Sequence, residues 1–517
     1  MSKGGSHGSH LLGNSIWNAS SFVVSVALNL LVLPFVLYRL GANAFGIASL
    51  VTACTAPALA FSNALALSTT RELAARLAAE HREEAKQMFA TALFVGIGAG
   101  LAIAAVLGLL APPLAVRVFH LEGSGVDLNL AFLLGAGGWF CQCLSVVFVA
   151  LFTARQDYSR VATTGVISVV VATIAIVVLV PLRPTVSTYL GCQALGLAAG
   201  LIASCMMSLR LAPGWIAGPT LHRPSLSALF SFGRWQFAAQ ALAVIATQAD
   251  RYLLGMFLAP NFVGYYTIAQ RLEEAIYIGI LKVGEILFPF FTSLRKEASG
   301  RIADLLFRSS WVLNVLGATA LGALIPVAGL LLRAWAGGDV ADETERLLIV
   351  LAAAGILGCA SNVFAYYLLA EGRSPASASI AMATSAATVL TSAVALPLLG
   401  WKAAGWSAGA GMLAQFLMMI WLLRNTFDVD HIGARVTYFV LQPLGTGIVA
   451  ALVLRSLVSG VLANAPAQWW LVGIAYALSA AVILAVIVAV AAVGPYRRTC
   501  LQDLLAIARP ILPRRAT

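Results

Sequence analysis

Charge is what this sequence has least of. Only 10% of its 517 residues are Asp, Glu, Lys or Arg, against about 25% in an average soluble chain. That scarcity excludes a soluble enzyme of ordinary composition. Catalytic signatures are missing as well. There is no Walker motif, no HExxH and no nucleophile elbow, so nothing in the chain marks it as an ATPase or hydrolase. The seven cysteines do not fill the gap. Cys141 and Cys143 have the wrong spacing for a redox pair, and no His cluster accompanies them. Most of the seven sit in apolar runs, as small buried residues. No catalytic residue, metal ligand or cofactor site is assigned. The net charge of +11 would suggest nucleic acid in a soluble protein. Here the cations lie mostly in short loops, and membrane orientation explains them instead.

What is present is hydrophobic sequence. It makes up 60% of the chain, with a mean hydropathy of +0.91. A spanning helix needs about 20 mostly apolar residues, and about 14 such segments can be found. They begin near Ser15, Phe45, Phe89, Leu128, Val161, Thr185, Gln236, Phe262, Ser310, Leu347, Ala376, Ala404, Val436 and Trp469. The fold class is therefore an all-α polytopic membrane protein. The first span is longer than a signal-peptide core and lacks a small-residue cleavage site, so it reads as uncleaved. A charged helix over 69–89 is expected between spans two and three. About 22 Lys and Arg fall in alternate loops on one side, from Lys3 to Arg515, and about seven on the other. That asymmetry places both termini in the cytoplasm.

The chain repeats itself. Leu40-Gly-Ala-Asn-Ala-Phe-Gly46 resembles Leu258-Ala-Pro-Asn-Phe-Val-Gly264 at an offset of 218 residues, and Val180-Pro-Leu182 matches Leu396-Pro-Leu398 at 216. Near-constant offsets imply a duplicated unit of about six spans, both copies inserted with the same orientation. The expected domains are an N-terminal six-helix lobe over 1–209 and a cytoplasmic linker over 210–234. A C-terminal six-helix lobe follows over 235–425. Two additional helices and a basic cytoplasmic tail occupy 426–517.

Polar residues mark particular helix faces. Span one carries Asn14, Asn18, Ser21, Ser25 and Asn29, with a kink expected at Pro34. Span seven aligns Gln236, Gln240, Thr247 and Arg251. Span eight aligns Arg271, Glu274, Lys282 and Glu285. Helix–helix hydrogen bonding accounts for Ser, Thr and Asn faces. Charge is different, because one at mid-bilayer costs about 2.5–3.5 kcal/mol on insertion scales and so faces a wet cavity or an opposite charge. Asp250 and Arg271 are equidistant from the turn at Pro260-Asn261, each about 15 Å from it at 1.5 Å per residue. They are expected to pair as a structural clamp. Arg251 lies about 100° around the helix from Asp250 and cannot share its face. It either faces a cleft or pairs with an acid such as Glu274. Arg251 and Lys282 are the candidates for an anionic substrate, with Arg39 a weaker one. Arginine binds phosphate bidentately, which suits a pyrophosphate. Gln240, Asn18 and Asn29 are added as polar lining, and Glu274 and Glu285 as acids that tune or neutralise the bases.

The segment Asp250-Arg-Tyr-Leu-Leu-Gly-Met-Phe-Leu-Ala-Pro-Asn-Phe-Val-Gly-Tyr-Tyr266, then Ala269-Gln-Arg-Leu272, together with Leu40–Ile47, resembles the Wzx-like oligosaccharide flippases. These belong to the multidrug/oligosaccharidyl-lipid/polysaccharide exporter superfamily. The resemblance implies two six-helix lobes in a V around a cationic cavity. It implies alternating access that flips undecaprenyl-pyrophosphate-linked oligosaccharide from the cytoplasmic to the periplasmic leaflet of a bacterial inner membrane. The implied setting is cell-surface polysaccharide biosynthesis, with membrane lipids, a polysaccharide polymerase and glycosyltransferases as partners. The two last helices are similar to a pair in the lipid II flippase branch. The acids Glu273, Glu274 and Glu285 on span eight leave the sign of the cavity field open.

Three other readings stand beside this one. They are a multidrug cation antiporter of the same superfamily, a lipid II flippase, and an integral-membrane glycan transferase or scaffold. Coupling to an H+ or a Na+ gradient is left open. The expected clamp has a direct test. The double variant Asp250→Arg, Arg271→Asp should express and fold like wild type while each single variant is depleted from the membrane. Equal loss in the swap and in the singles would remove the clamp.

Overall fold

Lipid cannot hydrogen-bond a peptide group, so a chain this apolar must satisfy its backbone in helices or a closed barrel. The computed structural model resolves this in favour of helices. It describes residues 4–215, 218, 220–285, 299–371, 373–426 and 432–497, and no strand occurs among them. The side chains of Asn14, Asn18, Glu285 and Ser377 lie outside the described residues. So do Lys3, Arg295, Lys296, Cys500 and the basic tail from Arg498 onward.

The first helices are α1 (Gly4–Thr55), α2 (Pro57–Ala78), α3 (Arg82–Phe119), α4 (Leu128–Ala154), α5 (Tyr158–Leu179) and α6 (Val186–Leu211). Next come α7 (Arg223–Phe257), α8 (Pro260–Glu285), α9 (Ser299–Ala336) and α10 (Gly338–Gly358). A 3₁₀ turn over Cys359–Ser361 leads into α11 (Asn362–Ala370). Then follow α12 (Ser374–Leu399), α13 (Ala403–Thr426) and α14 (Ile432–Val436), a π turn over Thr437–Leu441, α15 (Gln442–Ala463) and α16 (Trp469–Val493).

Eleven helical stretches among the described residues are long and apolar enough to cross a membrane. That establishes a multi-pass membrane protein; the expectation of about 14 spans stands beside these eleven. The expected spans two, seven and eight are helical, but α2, α7 and α8 are not among the eleven. In α8 the cause is charge, since Arg271, Glu273 and Glu274 lie close together in its middle.

The breaks between helices have local causes. Helix α1 is two helices joined at Gly41, whose φ of 79° and ψ of 163° suit glycine alone. Pro57 lacks the N–H that would extend α1, so α2 starts there. The expected continuous helix over 69–89 does not form. Glu80 adopts a left-handed φ of 61°, and the His81 N–H returns to the Arg76 carbonyl at 3.0 Å. This Schellman closure ends α2 and lets Arg82 begin α3 in a new direction.

The chain divides into two compact units, Met1–Gly264 and Tyr265–Thr517. In the first, α4 packs against α2, α3 and α6, and α1 packs against α5. Its core gathers Leu73, Met88, Phe89, Trp139, Val147 and Leu151, with Phe89 and Phe148 edge to face at 5.8 Å. In the second unit α9 is the centre, covered by α10, α15 and α16.

The two last helices are fixed to α9 by polar groups from several levels. Arg333 Nη2 donates to the Leu462 carbonyl at 2.6 Å, and the Tyr476 hydroxyl to the Ala320 carbonyl at 2.9 Å. Arg455 Nη1 donates to the Ile325 carbonyl at 3.4 Å and pairs with Glu345 of the adjoining α10 at 2.8 Å. One end of this run brings the helices close together, for a Cβ on Gly447 would lie 2.7 Å from that of Ala318. Removing one hydrogen bond, as in Tyr476→Phe, should cost about 0.6 kcal/mol, the average for polar contacts between packed membrane helices. Gly447→Leu should cost several times more by prising α15 off α9. Thermal unfolding in detergent compares the two, and equal effects would contradict this ranking.

Candidate functional site

The two copies of the repeated motif meet each other within the first compact unit. Gly41 turns the chain so that Ala42–Gly46 begins a new helical segment. Pro260 starts α8, so Pro260–Gly264 stands at the matching place. A Cβ on Gly46 would overlap the Pro260 carbonyl and lie 3.2 Å from the Gly264 nitrogen. A Cβ on Gly264 would lie 2.5 Å from the Ala42 carbonyl oxygen and 3.4 Å from the Gly46 nitrogen. Ala42 and Pro260 are equivalent in the repeat, as are Gly46 and Gly264. The contact is therefore reciprocal, the geometry of a two-fold interface. Small residues four apart on each side let the two backbones touch. The sequence displays both motifs, but as marks of duplication; their meeting is a tertiary fact.

Just below, α7 is tied to the break between α1 and α2. Pro57 cannot donate to Ala53, its partner four residues back. The Ala53 carbonyl accepts the Ala56 N–H at 3.1 Å and the Tyr252 hydroxyl at 2.6 Å. Beside Tyr252, Arg251 is only 7% exposed. Its Nη1 donates to Gln248 Oε1 at 2.8 Å, one turn back on the same helix. Asp250 and Gln240 are half-buried on α7. Asn29 is exposed and its amide donates to the Ser25 carbonyl of its own helix at 2.8 Å. Arg39 is exposed and lies over the rings of Phe35 and Tyr38 at 5.8 and 5.7 Å. Asn18 is on α1 and Glu285 on α8.

The second unit holds the other charged candidates. Arg271 pairs with Glu274 at 3.8 Å on the exposed side of α8, and Lys282 is exposed. A different face of α8 carries a cluster absent from the expected site. There Glu273 and Tyr277, one turn apart, address α10. The Glu273 carboxylate occupies the space that a Cβ on Gly355 would need. A Cβ on Gly358 would lie 3.1 Å from the Tyr277 hydroxyl, which donates to Asn362 Oδ1 at 3.3 Å. Gln415 supports the 3₁₀ turn, its amide donating to the Gly358 carbonyl at 3.2 Å and to the Ser361 hydroxyl. Thr384 donates to Gln415 Oε1 at 3.1 Å. The i, i+4 pair Glu273/Tyr277 was a readable signal, but only the two glycines opposite give it meaning.

The family model described as "Polysaccharide biosynthesis protein" matches residues 36–337. The chain belongs to this polysaccharide biosynthesis family. The match spans both copies of the glycine motif and the Glu273 face. A Shigella flexneri protein named "Putative O-antigen transporter" is 22% identical over 360 residues, which are 66% of this chain and 80% of that protein. Among solved structures, the lipid II flippase MurJ in an inward closed conformation superposes with a TM-score of 0.70 at 11% identity. That match covers 96% of this chain and all of MurJ. An inward-facing multidrug resistance MATE family transporter of the MOP superfamily gives 0.64 at 13% identity, covering 78% of this chain and 99% of its own. The fold of this family member is thus the fold these transporters share.

Gly46→Ala and Gly264→Ala should each separate the paired motifs. Cysteine labelling at Asn261 should then speed up. Gly98→Ala and Gly137→Ala, where a Cβ meets nothing within 4 Å, should leave labelling unchanged and stabilise their helices by up to about 1 kcal/mol. Identical labelling in all four variants would show that the close approach is dispensable.

Proposed function

We propose that this protein flips lipid-linked oligosaccharide, carried on undecaprenyl pyrophosphate, from the cytoplasmic to the periplasmic leaflet of a bacterial inner membrane. Movement is by alternating access, and the chain is a transporter rather than an enzyme. Membership of a polysaccharide biosynthesis family supports this reading, as do relatives described as an O-antigen transporter and a lipid II flippase. The observation that carries it is the reciprocal contact of Ala42–Gly46 with Pro260–Gly264. It joins the two copies of a duplication by close approach of their backbones. Single atom contacts contribute about 0.1–0.2 kcal/mol each, so such a contact can close one end of a pathway and still be released.

In this reading both termini are cytoplasmic and the two copies form lobes over 1–209 and 235–425. Arg251 and Lys282 hold the pyrophosphate, with Arg39, Gln240, Asn18 and Asn29 along the path. Asp250 and Arg271 clamp the hairpin, and Glu274 and Glu285 temper the bases. Arg251 is covered here, so the reading requires it to be uncovered when the glycine contact opens. Glycosyltransferases supply the substrate and a polymerase consumes it. A cation antiporter of the same superfamily is the second reading, favoured by the Glu273 carboxylate, which pairs with no cation among the described residues.

The test is a leaflet assay in proteoliposomes with labelled lipid-linked oligosaccharide. Protein-dependent movement is expected. Arg251→Ala should weaken it about ten- to a hundredfold, the loss of one charged hydrogen bond worth about 1.5–3 kcal/mol. Equal movement in protein-free vesicles would reject the flippase. Extrusion of a cationic dye in its place would select the antiporter.

A further inference from the structure

Span eight contains an acid, Glu273, that has no counter-ion among the described residues, and the structure gives it a setting. Glu273 is pressed against the bare backbone at Gly355. No Lys or Arg pairs with it among the described residues. The titratable groups facing it are Glu274 and Tyr277 on its own helix and Cys359 on the 3₁₀ turn of the neighbouring span. From α9 it meets the apolar Leu321, whose side chain shares the space at Gly355. From α13, Met412 and Gln415 border the same turn. None of these neighbours is cationic.

A second observation points the same way. Asn362 is 7% exposed. Its Oδ1 accepts from Tyr277 at 3.3 Å, while its Nδ2 is buried with no hydrogen-bond partner among the described residues. A buried idle donor is costly unless an acceptor completes it in another state. The span it stands on is broken at Cys359–Ser361, so its position can shift relative to α8 without unwinding a continuous helix.

We propose that Glu273 is the proton-carrying group that couples this transporter to a proton gradient, with Tyr277 and Asn362 as positioning residues. The inference rests on the reading above that the chain transports by alternating access. The step is a proton exchange alone: the carboxylate takes H+ from water on one side and returns it to water on the other, with no other bond made or broken. Protonated, the side chain is neutral and fits against Gly355. Ionised, it has no cation partner among the described residues and recruits donors, and Asn362 Nδ2, on the residue that Tyr277 bonds, is idle. Movement of Asn362 toward Glu273 displaces the 3₁₀ turn held by Gln415.

The experiment has two arms, both on the full chain in lipid vesicles. Infrared spectra without substrate should show a protonated carboxyl band that titrates away at alkaline pH. It should vanish in Glu273→Gln and persist in Glu274→Gln. In the flipping assay, an imposed pH gradient should accelerate wild type and Glu273→Asp. The acceleration should be lost in Glu273→Gln, and Asn362→Leu should shift its pH midpoint. A band that survives Glu273→Gln overturns the proposal, as does a gradient response that survives it. Drive by a sodium gradient in place of a proton gradient also overturns it. A wild type that flips nothing removes the functional reading above, while the infrared arm still decides whether Glu273 carries a proton.

Discussion

Lipid supplies neither a hydrogen-bond partner nor a counter-ion, and most of the polar architecture follows from that. Continuous helices satisfy their own backbone, so the demands arise where helices break or end. Ala53, which loses its donor four residues on at Pro57 and accepts the Ala56 N–H at 3.1 Å, also receives the Tyr252 hydroxyl. Gly358, at the 3₁₀ turn, receives Gln415. Ala491, near the end of α16, receives Tyr438. Each such bond is worth only about 0.6 kcal/mol. Each supplies a second donor to a carbonyl whose regular helical bond is interrupted. Tyrosines and glutamines inside this protein are therefore best understood through the backbone they complete.

The same solvent removes the hydrophobic drive between helices and leaves close packing to hold them. Glycine supplies it in two distinguishable ways. At Gly447 the close approach is backed by Tyr476, Arg333 and Arg455, which fasten the neighbouring turns to α9 and its surroundings. At Gly46 and Gly264 the backbones touch at both motifs, and each motif sits at the start of a helical segment. The first arrangement resists motion. The second depends on bringing two short stretches into register, and loses its contact atoms together when they part.

Much of the fold was legible in the sequence because membrane spans are written as runs, and runs survive without tertiary information. Loop cations and two motifs 218 residues apart were readable for the same reason. Glu80 was not, since a left-handed glutamate at a Schellman closure looks like one more charge in a helical stretch. Arg251 was placed off the face of Asp250 by angle alone; its burial beside Gln248 depends on neighbours that no periodicity names. Glu273 was hidden by company. Among Glu274 and Glu285 it seemed one of several acids, and what separates it is Gly355 and Gly358, glycines on another span. Glu274, by contrast, is half neutralised by Arg271 one turn away.

Energy scales bear on how a carboxylate with no cation partner among the described residues and a backbone contact could act in one molecule. A charge at mid-membrane costs about 2.5–3.5 kcal/mol. A backbone contact of a few atoms, at about 0.1–0.2 kcal/mol per pair, sums to less than that. On the proposed coupling, the loss or gain of one proton at Glu273 is therefore enough to offset the making or breaking of such a contact. Every 1.4 kcal/mol changes a population tenfold, and a group biases an equilibrium only by its differential free energy in the two states. A deeper glycine interface would outweigh the proton, and a salt-bridged Glu273 would carry no signal.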